Sequence, residues 1–423
     1  MNTRASVLAV KEMPLVIACN AWSEDTMGGA YRIASDFAVF CAARGRQVHY
    51  VCSHPEGTGQ RPDWDKGVNV WRYRQPFKSG QGKRLGNFYG HQRGAAAVLG
   101  RIRSSLKNVS GFVLNGHTAL QYYAMLGQSS GSRKVMSVHS PLVDEYLAEK
   151  TPAASGWKKS LAVAALSYVE RVACQKSDQV QCFSGFTLSL LERRYGRSFR
   201  DKASVCPGYV DFERYRLAAT SRAEARKRIS RVPWGGEDVH FFSLRRHVQR
   251  MGLEKLIEAC AWLRDRSVAG GHKPAFRLVL GGDGPLRPQL ERQSFELGLK
   301  DFVFFAGALT EKELPLYYRA ADCFVLPSVE LECFGLVILE SFAAGTPVLA
   351  TPVGAIPEVL GPLAGRSLAP GTDAPSLGTA MFKFIQKKAL PPDEGELVRY
   401  AKNFDKDLIL ARLESLVMGQ DHE

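Results

Sequence analysis

The chain has 423 residues, 45% hydrophobic and 23% charged, with a formal charge of +14. These are the proportions of an ordinary globular protein, and the length favours two domains over one. The nine scattered cysteines include no C-x-x-C pair, which argues against a disulfide framework or zinc site and for a reducing cytoplasm. No apolar run reaches membrane-span length, and "SVLAV" near the N terminus is cut short by Lys11 and Glu12 before a signal-peptide core forms.

In chain order, "PLVIAC" predicts a buried strand, "GGAYRIASDFAVFCAARG" a helix ending at Gly45, and "QVHYVCS" the next strand, a βαβ unit. Apolar runs follow at "GFVLNGH", "KVMSVHS" and "QVQCFS", with the helix "LAVAALSYVERVACQKS" between the last two. This alternation predicts a parallel sheet covered by helices. Around residues 216–236 the composition turns polar and basic, "RLAATSRAEARKRISRVPWGG", read as helix plus linker with the domain boundary just before it.

The second half repeats the pattern. Strands are predicted at "VHFFSL", "FRLVLGG", "FVFFAG", "CFVLPS" and "PVLAT", and helices at "GLEKLIEACAWLRDR", "LRPQLERQSFELGL", "EKELPLYYRAA" and "LVILESFAAG". The expected fold class is therefore α/β, two Rossmann-like domains facing across a central cleft, with ligands at the carboxyl ends of the strands.

The charge is uneven. Between Asp65 and Asp144 there is no Asp or Glu, while twelve Lys and Arg lie inside, from Lys66, Arg72 and Arg74 to Arg133 and Lys134. Within this window "RGAAAVLGRIRSSLK" predicts a helix with Val98, Leu99, Ile102 and Leu106 on one face and Arg93, Arg101, Arg103 and Lys107 opposite. Ordinary surfaces intersperse both signs, whereas a one-sign field attracts anionic lipid or an anionic substrate. A helix with a merely solvated basic face is the alternative.

The most informative stretch is "VELECFGLVILESFAAGTPVLATPVGAIPEV", Val329 to Val359. Glu332 falls in the loop after a strand, and Glu340 about one turn inside a helix that starts near Gly335. A carboxylate among Val337, Ile338, Leu339 and Phe342 is costly to bury without a partner. The bare amides at Gly335 and Leu336 form a positive helix end suited to phosphate. Carboxylate, anion seat and carboxylate is an order that holds sugar, diphosphate and ribose, because carboxylates accept bonds from vicinal hydroxyls.

Ala306 to Leu360 resembles the signature region of the group-one, Glu-x7-Glu family of retaining nucleotide-sugar glycosyltransferases of the GT-B fold. "SVHSP", "CFSGFT", "CPGYVD", "RRHVQRMGLEKLIEA" and "LVLGGDGPL" extend the likeness more loosely. The resemblance implies an N-terminal acceptor-side domain, set at residues 1–210, a donor domain at 211–398 and a terminal helix at 399–423 crossing back. It implies that Glu332 binds donor-sugar hydroxyls, that Glu340 binds ribose, and that the amides of Phe334, Gly335, Leu336 and Val337 hold sugar and phosphate. Gly28 and Gly29 then let a loop approach the phosphates, and Gly281, Gly282 and Gly284 lie under the nucleoside. His139 sits beside the reacting sugar, although the Asp that often follows it is Ser140 here. The family's Arg and Lys after the first strand of the second domain become Arg246 and, because Met251 stands at the Lys position, Arg250.

The implied reaction is glycosyl transfer with retention, by front-face attack assisted by the leaving phosphate, from a uridine- or guanosine-linked sugar. Fixed cations and a helix end lower the barrier, so neither a metal nor a cofactor is expected. The D-x-D pairs, Asp63 with Asp65 and Asp405 with Asp407, read as surface loop and terminal helix. Glu24 and Asp25 are candidate acceptor contacts. The expected acceptor is anionic or lipid-linked, in envelope or polysaccharide biosynthesis, with the protein cytoplasmic or peripheral on an anionic membrane through residues 66–143; no nucleic-acid partner is expected. A small soluble acceptor, or a non-catalytic GT-B binding protein, is the alternative reading. A dinucleotide oxidoreductase is disfavoured because "GGDGPLR" lacks the third glycine of G-x-G-x-x-G.

Overall fold

The computed structural model describes residues 14–25, 29–57, 62–74, 84–105, 111–115, 133–148, 156–216, 220–387 and 391–419. The chain divides into two compact units: Met1–Leu147, Thr151–Pro207 and Asp407–Glu423 in one, Ala148–Lys150 and Gly208–Lys406 in the other.

The first unit contains β1 (Leu15–Ala18), α1 (Gly29–Ala43), β2 (Val48–His54), β3 (Asp63–Asp65), β4 (Val68–Arg74), α2 (Arg84–Ser105), β5 (Gly111–Asn115) and β6 (Arg133–Val138). After a short helix at Leu142–Ala148 come α3 (Gly156–Lys176), β7 (Gln179–Cys182), α4 (Gly185–Tyr195) and β8 (Ala203–Val205). The sheet order is β3-β4-β2-β1-β5-β6-β7-β8. β1 is a strand because Leu15, Val16, Ile17 and Ala18 are all buried, the continuous apolar run of a strand covered on both faces. It pairs in parallel with both neighbours, Leu15 opposite Val48 and Gly111. α1 buries Ile33, Ala34, Phe37, Ala38 and Cys41 at helical spacing. It ends where Gly45 takes φ 83° and the Arg46 amide reaches back to the Cys41 carbonyl at 3.2 Å.

The β3–β4 hairpin replaces the loop expected around Asp63 and Asp65. Its two connecting residues, Lys66 at φ 49° and Gly67 at φ 83°, form the positive-φ turn that matches strand twist in two-residue hairpins. α2 buries Val98, Leu99 and Ile102 and exposes Arg93 and Arg101, as its periodicity predicts; Leu106 and Lys107 lie outside the described residues.

The second unit contains α5 (Arg222–Arg228), β9 (Val239–Leu244), α6 (Leu253–Ala269), β10 (Phe276–Gly281), α7 (Arg287–Glu296), β11 (Val303–Gly307) and α8 (Leu314–Ala320). β12 (Cys323–Leu326), α9 (Leu336–Ala343), β13 (Val348–Ala350), α10 (Ala374–Ile385) and α11 (Glu394–Lys402) complete it. Its wholly parallel sheet runs β11-β10-β9-β12-β13, so strand order reverses between β9 and β12. Phe241, Leu278, Leu280 and Val325 pack there with Leu256, Ile257, Cys260 and Leu263 of α6.

The division falls at Pro207/Gly208 and Lys406/Asp407 rather than at 210/211 and 398/399. α11 stays with the second unit because Leu397 and Ala401 are buried there and the Tyr400 hydroxyl donates to the Val359 carbonyl at 2.9 Å. The final helix, α12 (Lys406–Met418), is fastened to the first unit by Glu414, which pairs with Arg44 at 2.9 Å and Arg46 at 2.7 Å. All nine cysteines are buried free thiols.

Candidate active site

Open α/β sheets bind ligands beyond the strand carboxyl ends, where strand order reverses. In the second unit that place lies past Leu244 of β9 and Leu326 of β12. Arg245 follows β9 directly, its amide bonded to the Gly281 carbonyl at 3.1 Å. Its guanidinium lies against the Met251 Sδ, donates to Ser328 Oγ at 3.1 Å and pairs with Glu332 Oε2. Ser328 Oγ donates to the same carboxylate oxygen at 2.9 Å. Both charged side chains are nearly closed off, at 8% and 12% exposure, so their attraction is little screened.

The loop carrying Glu332 is tightly held. Arg250 donates to the Leu331 carbonyl at 3.2 Å and accepts the Val329 amide at 3.0 Å. Leu331 has φ 48°, a left-handed conformation that costs a branched residue energy, and such strain concentrates at functional sites. The Glu332 carbonyl accepts the Ala355 amide at 2.8 Å, and a side chain at Gly354 would lie 2.2 Å from that oxygen.

Of the adjacent arginines, Arg245 and Arg250 reach this loop, and Arg246 is exposed. Arg245 is thus the one of the two neighbours that meets Glu332, a contact the sequence reading did not anticipate. Successive side chains of an extended chain point to opposite sides, so only one of two neighbours can face Glu332. Met251, at the position expected for lysine, is buried against Arg245.

Three residues past Glu332, Gly335 with φ 90° caps the start of α9, which carries no acid in its first turn. The first amides of a helix have no carbonyl behind them, which leaves those of Leu336 and Val337 as anion donors. Phe334 and Leu336 side chains pack over Gly208, where an added Cβ would come within 2.7 Å and 2.6 Å of them. Glu340 is 3% exposed, and its Oε2 accepts the Tyr318 hydroxyl at 2.8 Å. The partner that its apolar neighbours demand is therefore supplied from α8. The glycine turn is stitched to the Arg245 segment: Gly282 takes φ 104°, a side chain there would lie 2.0 Å from the Arg245 carbonyl, and Gly284 abuts the His247 backbone. His247 is fully buried with neither ring nitrogen hydrogen-bonded, and burial lowers its pKa.

In the first unit, His139 follows β6 and stacks on Phe183, ring centroids 4.4 Å apart. Loss of water around the ring pushes its pKa down to about 3, so the imidazole is neutral near pH 7. Behind the same turn, Glu170 of α3 is 1% exposed and accepts both the Leu142 amide and the Tyr195 hydroxyl, each at 2.7 Å. Burial pushes its pKa up to about 7. Gly29 starts α1; Gly28 lies outside the described residues. Glu24 pairs with Lys66, and Asp25 with Arg72 at 2.8 Å. Asp63 also pairs with Arg72, at 2.7 Å, so acids from outside the basic window oppose part of its charge.

Sequence reasoning did not single out Ser328, Tyr318 or Glu170, and placed Arg246 and Arg250 ahead of Arg245 as cations for the diphosphate. Glu170 had a usable signal, since it lies on the same arc of α3 as the buried Ala173 and Cys174.

Residues 226–404 match the profile of the family described as Glycosyl transferases group 1. A GDP-mannose-dependent alpha-(1-6)-phosphatidylinositol monomannoside mannosyltransferase of Mycobacterium tuberculosis is 33% identical over 213 residues, 48% of this chain and 51% of that protein. The mannosylfructose-phosphate synthase of Agrobacterium fabrum is 28% identical over 52% of this chain and 48% of its own length. The matched region thus spans about half the length of these curated relatives. Among solved structures, sucrose-phosphate synthase from Thermosynechococcus elongatus superposes with a TM-score of 0.79 at 20% identity, over 96% of this chain and 98% of the other. WaaG, a glycosyltransferase involved in lipopolysaccharide biosynthesis, superposes with a TM-score of 0.70 at 17% identity, over 96% and 100%.

Proposed function

We propose that this protein transfers a sugar, with retention, from a nucleoside-diphosphate sugar to a hydroxyl acceptor, a reading supported by the match of residues 226–404 to the group 1 glycosyl transferases and by the GT-B fold. The observation that carries this reading is the meeting of Arg245, Ser328 and Glu332 at the point where strand order reverses. In this reading Glu332 accepts from hydroxyls of the donor sugar, and Glu340, oriented by Tyr318, takes the ribose. Arg245, Arg250 and the first amides of α9 meet the diphosphate. Negative charge grows on that diphosphate as the anomeric bond breaks, and donors already fixed in place need no reorganisation to offset it. The resemblance alone assigns His139, neutral near pH 7, to the reacting sugar. It alone assigns Gly28 and Gly29 to the phosphates, and in this reading Gly282 and Gly284 shape the floor under a uridine or guanosine. No metal is assigned a step.

The exposed Arg93 and Arg101 favour an anionic or lipid-linked acceptor, the class named for the mycobacterial relative. A small soluble acceptor is the second reading, favoured by the likeness to mannosylfructose-phosphate synthase.

The test is release of nucleoside diphosphate from a panel of uridine- and guanosine-linked sugars, with the anomeric configuration of the product read by NMR. Glu332→Gln is expected to lower turnover about a thousandfold, roughly 4 kcal/mol of barrier, while nucleoside diphosphate still binds. Equal loss of both would remove Glu332 from the sugar, and a folded wild type that turns over no donor would leave a non-catalytic binding protein.

A further inference from the structure

Among the described residues, the Arg245 guanidinium reaches all its partners through one nitrogen. Nη2 donates to Ser328 Oγ at 3.1 Å, pairs with Glu332 Oε2 and lies against the Met251 Sδ. The Nε–H on the same edge of the fork is buried and has no acceptor. A buried donor left unmade is costly, and a planar guanidinium is best satisfied when one edge meets two oxygens of a single group. Glu332 offers only Oε2, which also takes the Ser328 hydroxyl at 2.9 Å, and its Oε1 accepts no bond among the described residues. The ion pair is therefore closed off from water yet half made on both sides.

These two loose ends fit the two halves of a nucleoside-diphosphate sugar. Paired phosphate oxygens satisfy the Nε and Nη2 edge together, and the carboxylate accepts from sugar hydroxyls. The two demands conflict while Glu332 holds Nη2. A complete donor resolves the conflict, because hydroxyls replace the guanidinium at Glu332 as phosphate replaces the carboxylate at Arg245. Nucleoside diphosphate alone repartners Arg245 and leaves a nearly buried carboxylate without its cation, which is a costly state. Both backbones are fixed, Arg245 by its amide bond to the Gly281 carbonyl at 3.1 Å and Glu332 by accepting the Ala355 amide at 2.8 Å, so side-chain motion alone makes the exchange. Met251 brings no second charge, and Arg245 is the one cation that pairs with Glu332 among the described residues.

We propose that Arg245 changes partner in each turnover, from Glu332 in the free protein to the phosphate next to the sugar in the donor complex, and back to Glu332 once the sugar has left. The exchange couples the grip on diphosphate to the presence of sugar, so the donor is held and the spent nucleotide is released. This rests on the roles given above to Glu332 and the diphosphate. The test is calorimetric titration with UDP and GDP, carried on with whichever binds wild type. Glu332→Gln removes the competing charge and is expected to tighten the diphosphate about tenfold, and the one-methylene-shorter Glu332→Asp about threefold. The matching nucleoside monophosphate, which lacks the phosphate next to the sugar, is expected to bind both variants as it binds wild type. Arg245→Gln is expected to weaken the diphosphate about tenfold, and Glu332→Gln/Arg245→Gln to show none of the tightening. That double variant separates release of Arg245 from mere loss of repulsion between carboxylate and phosphate. Met251→Lys is expected to restore diphosphate affinity to Arg245→Gln, since the Met251 side chain touches the guanidinium that is lost. A cooperative melt in each variant confirms an intact fold. Diphosphate binding that is unchanged or weaker in both Glu332 variants, or tightening that survives without Arg245, overturns the proposal and leaves the donor site standing. Wild type that binds neither UDP nor GDP overturns the donor reading with it.

Discussion

Glu170 on α3 and Glu340 on α9 are both buried carboxylates that accept a tyrosine hydroxyl, at 2.7 Å from Tyr195 and 2.8 Å from Tyr318. They differ in what else they hold. Glu170 also takes the Leu142 amide, three residues beyond His139, so it braces the turn on which that imidazole sits. Glu340 lies in the second turn of α9, on the helix whose first amides follow the Glu332 loop. One buried glutamate serves a backbone and the other stands beside a candidate ligand seat. Burial and a tyrosine partner alone therefore do not separate a structural carboxylate from a functional one.

The sharpest way to break the comparison is Glu170→Leu. It leaves a buried amide and a buried hydroxyl without an acceptor, each costing about 1–3 kcal/mol, so a loss of about 3 kcal/mol is expected in urea unfolding. A loss below about 1 kcal/mol would show that Glu170 does not brace the turn.

A similar magnitude is expected from pH. With its folded pKa at about 7 against an ordinary 4.5, Glu170 keeps its proton in the folded chain after the unfolded chain has lost it. Its contribution is thus fully present below pH 4.5 and is lost as pH rises through 7, amounting to about 3 kcal/mol. His49 and His139, lowered by burial to about 4 and about 3, act oppositely, binding protons more readily when unfolded, so stability rises with pH up to their ordinary 6.5. Between pH 4.5 and 6.5 two histidines outweigh one carboxyl, so wild-type stability is expected to rise with pH, and that of Glu170→Gln about twice as steeply. Glu170→Gln, which can still accept the Leu142 amide, is expected to show the rising histidine slope alone. Identical profiles for the two proteins would refute the raised carboxyl.

Smaller effects address Glu340. Glu340→Gln is expected to weaken nucleoside diphosphate binding about tenfold by calorimetry, roughly 1.4 kcal/mol, whereas Glu170→Gln leaves it unchanged. Wild-type affinity in the first variant would place Glu340 in the structural class. Tyr318→Phe is expected to cost about 1 kcal/mol in stability and to weaken nucleotide binding in the same direction as Glu340→Gln, since it removes one hydrogen bond to the carboxylate. Unchanged binding in Tyr318→Phe would mean that the hydroxyl does not orient Glu340.

Much of this was legible in the sequence. Strand and helix periods placed all five strands of the second sheet and β1, β2, β5, β6 and β7 of the first, but not β3, β4 or β8, and the Glu332–Glu340 stretch stood out because its carboxylates flank an apolar helix start. The β3–β4 hairpin was not legible, because Lys66 is a non-glycine residue at φ 49° and resembles no turn signal. α10 and α11 carried readable caps, Asp373 bonded to the Ser376 amide and Asp393 to the Glu396 amide, each at 2.9 Å, but the pattern reading stopped before them.

What the sequence by itself determined is local: which residues repeat with a period of two or 3.6, and which loops carry charge beside glycine. What only the tertiary structure decided is direction. Arg245 and Arg246 are equivalent by spacing until the end of β9 turns one toward Glu332 and the other away from it. α3 has apolar residues on two arcs, and only packing against the sheet shows that Ala173 is core while Trp157 is surface. The physical reason is the same in both cases. A side chain's energy depends on what the far parts of the chain bring against it, and that pairing is absent from any window of neighbouring residues.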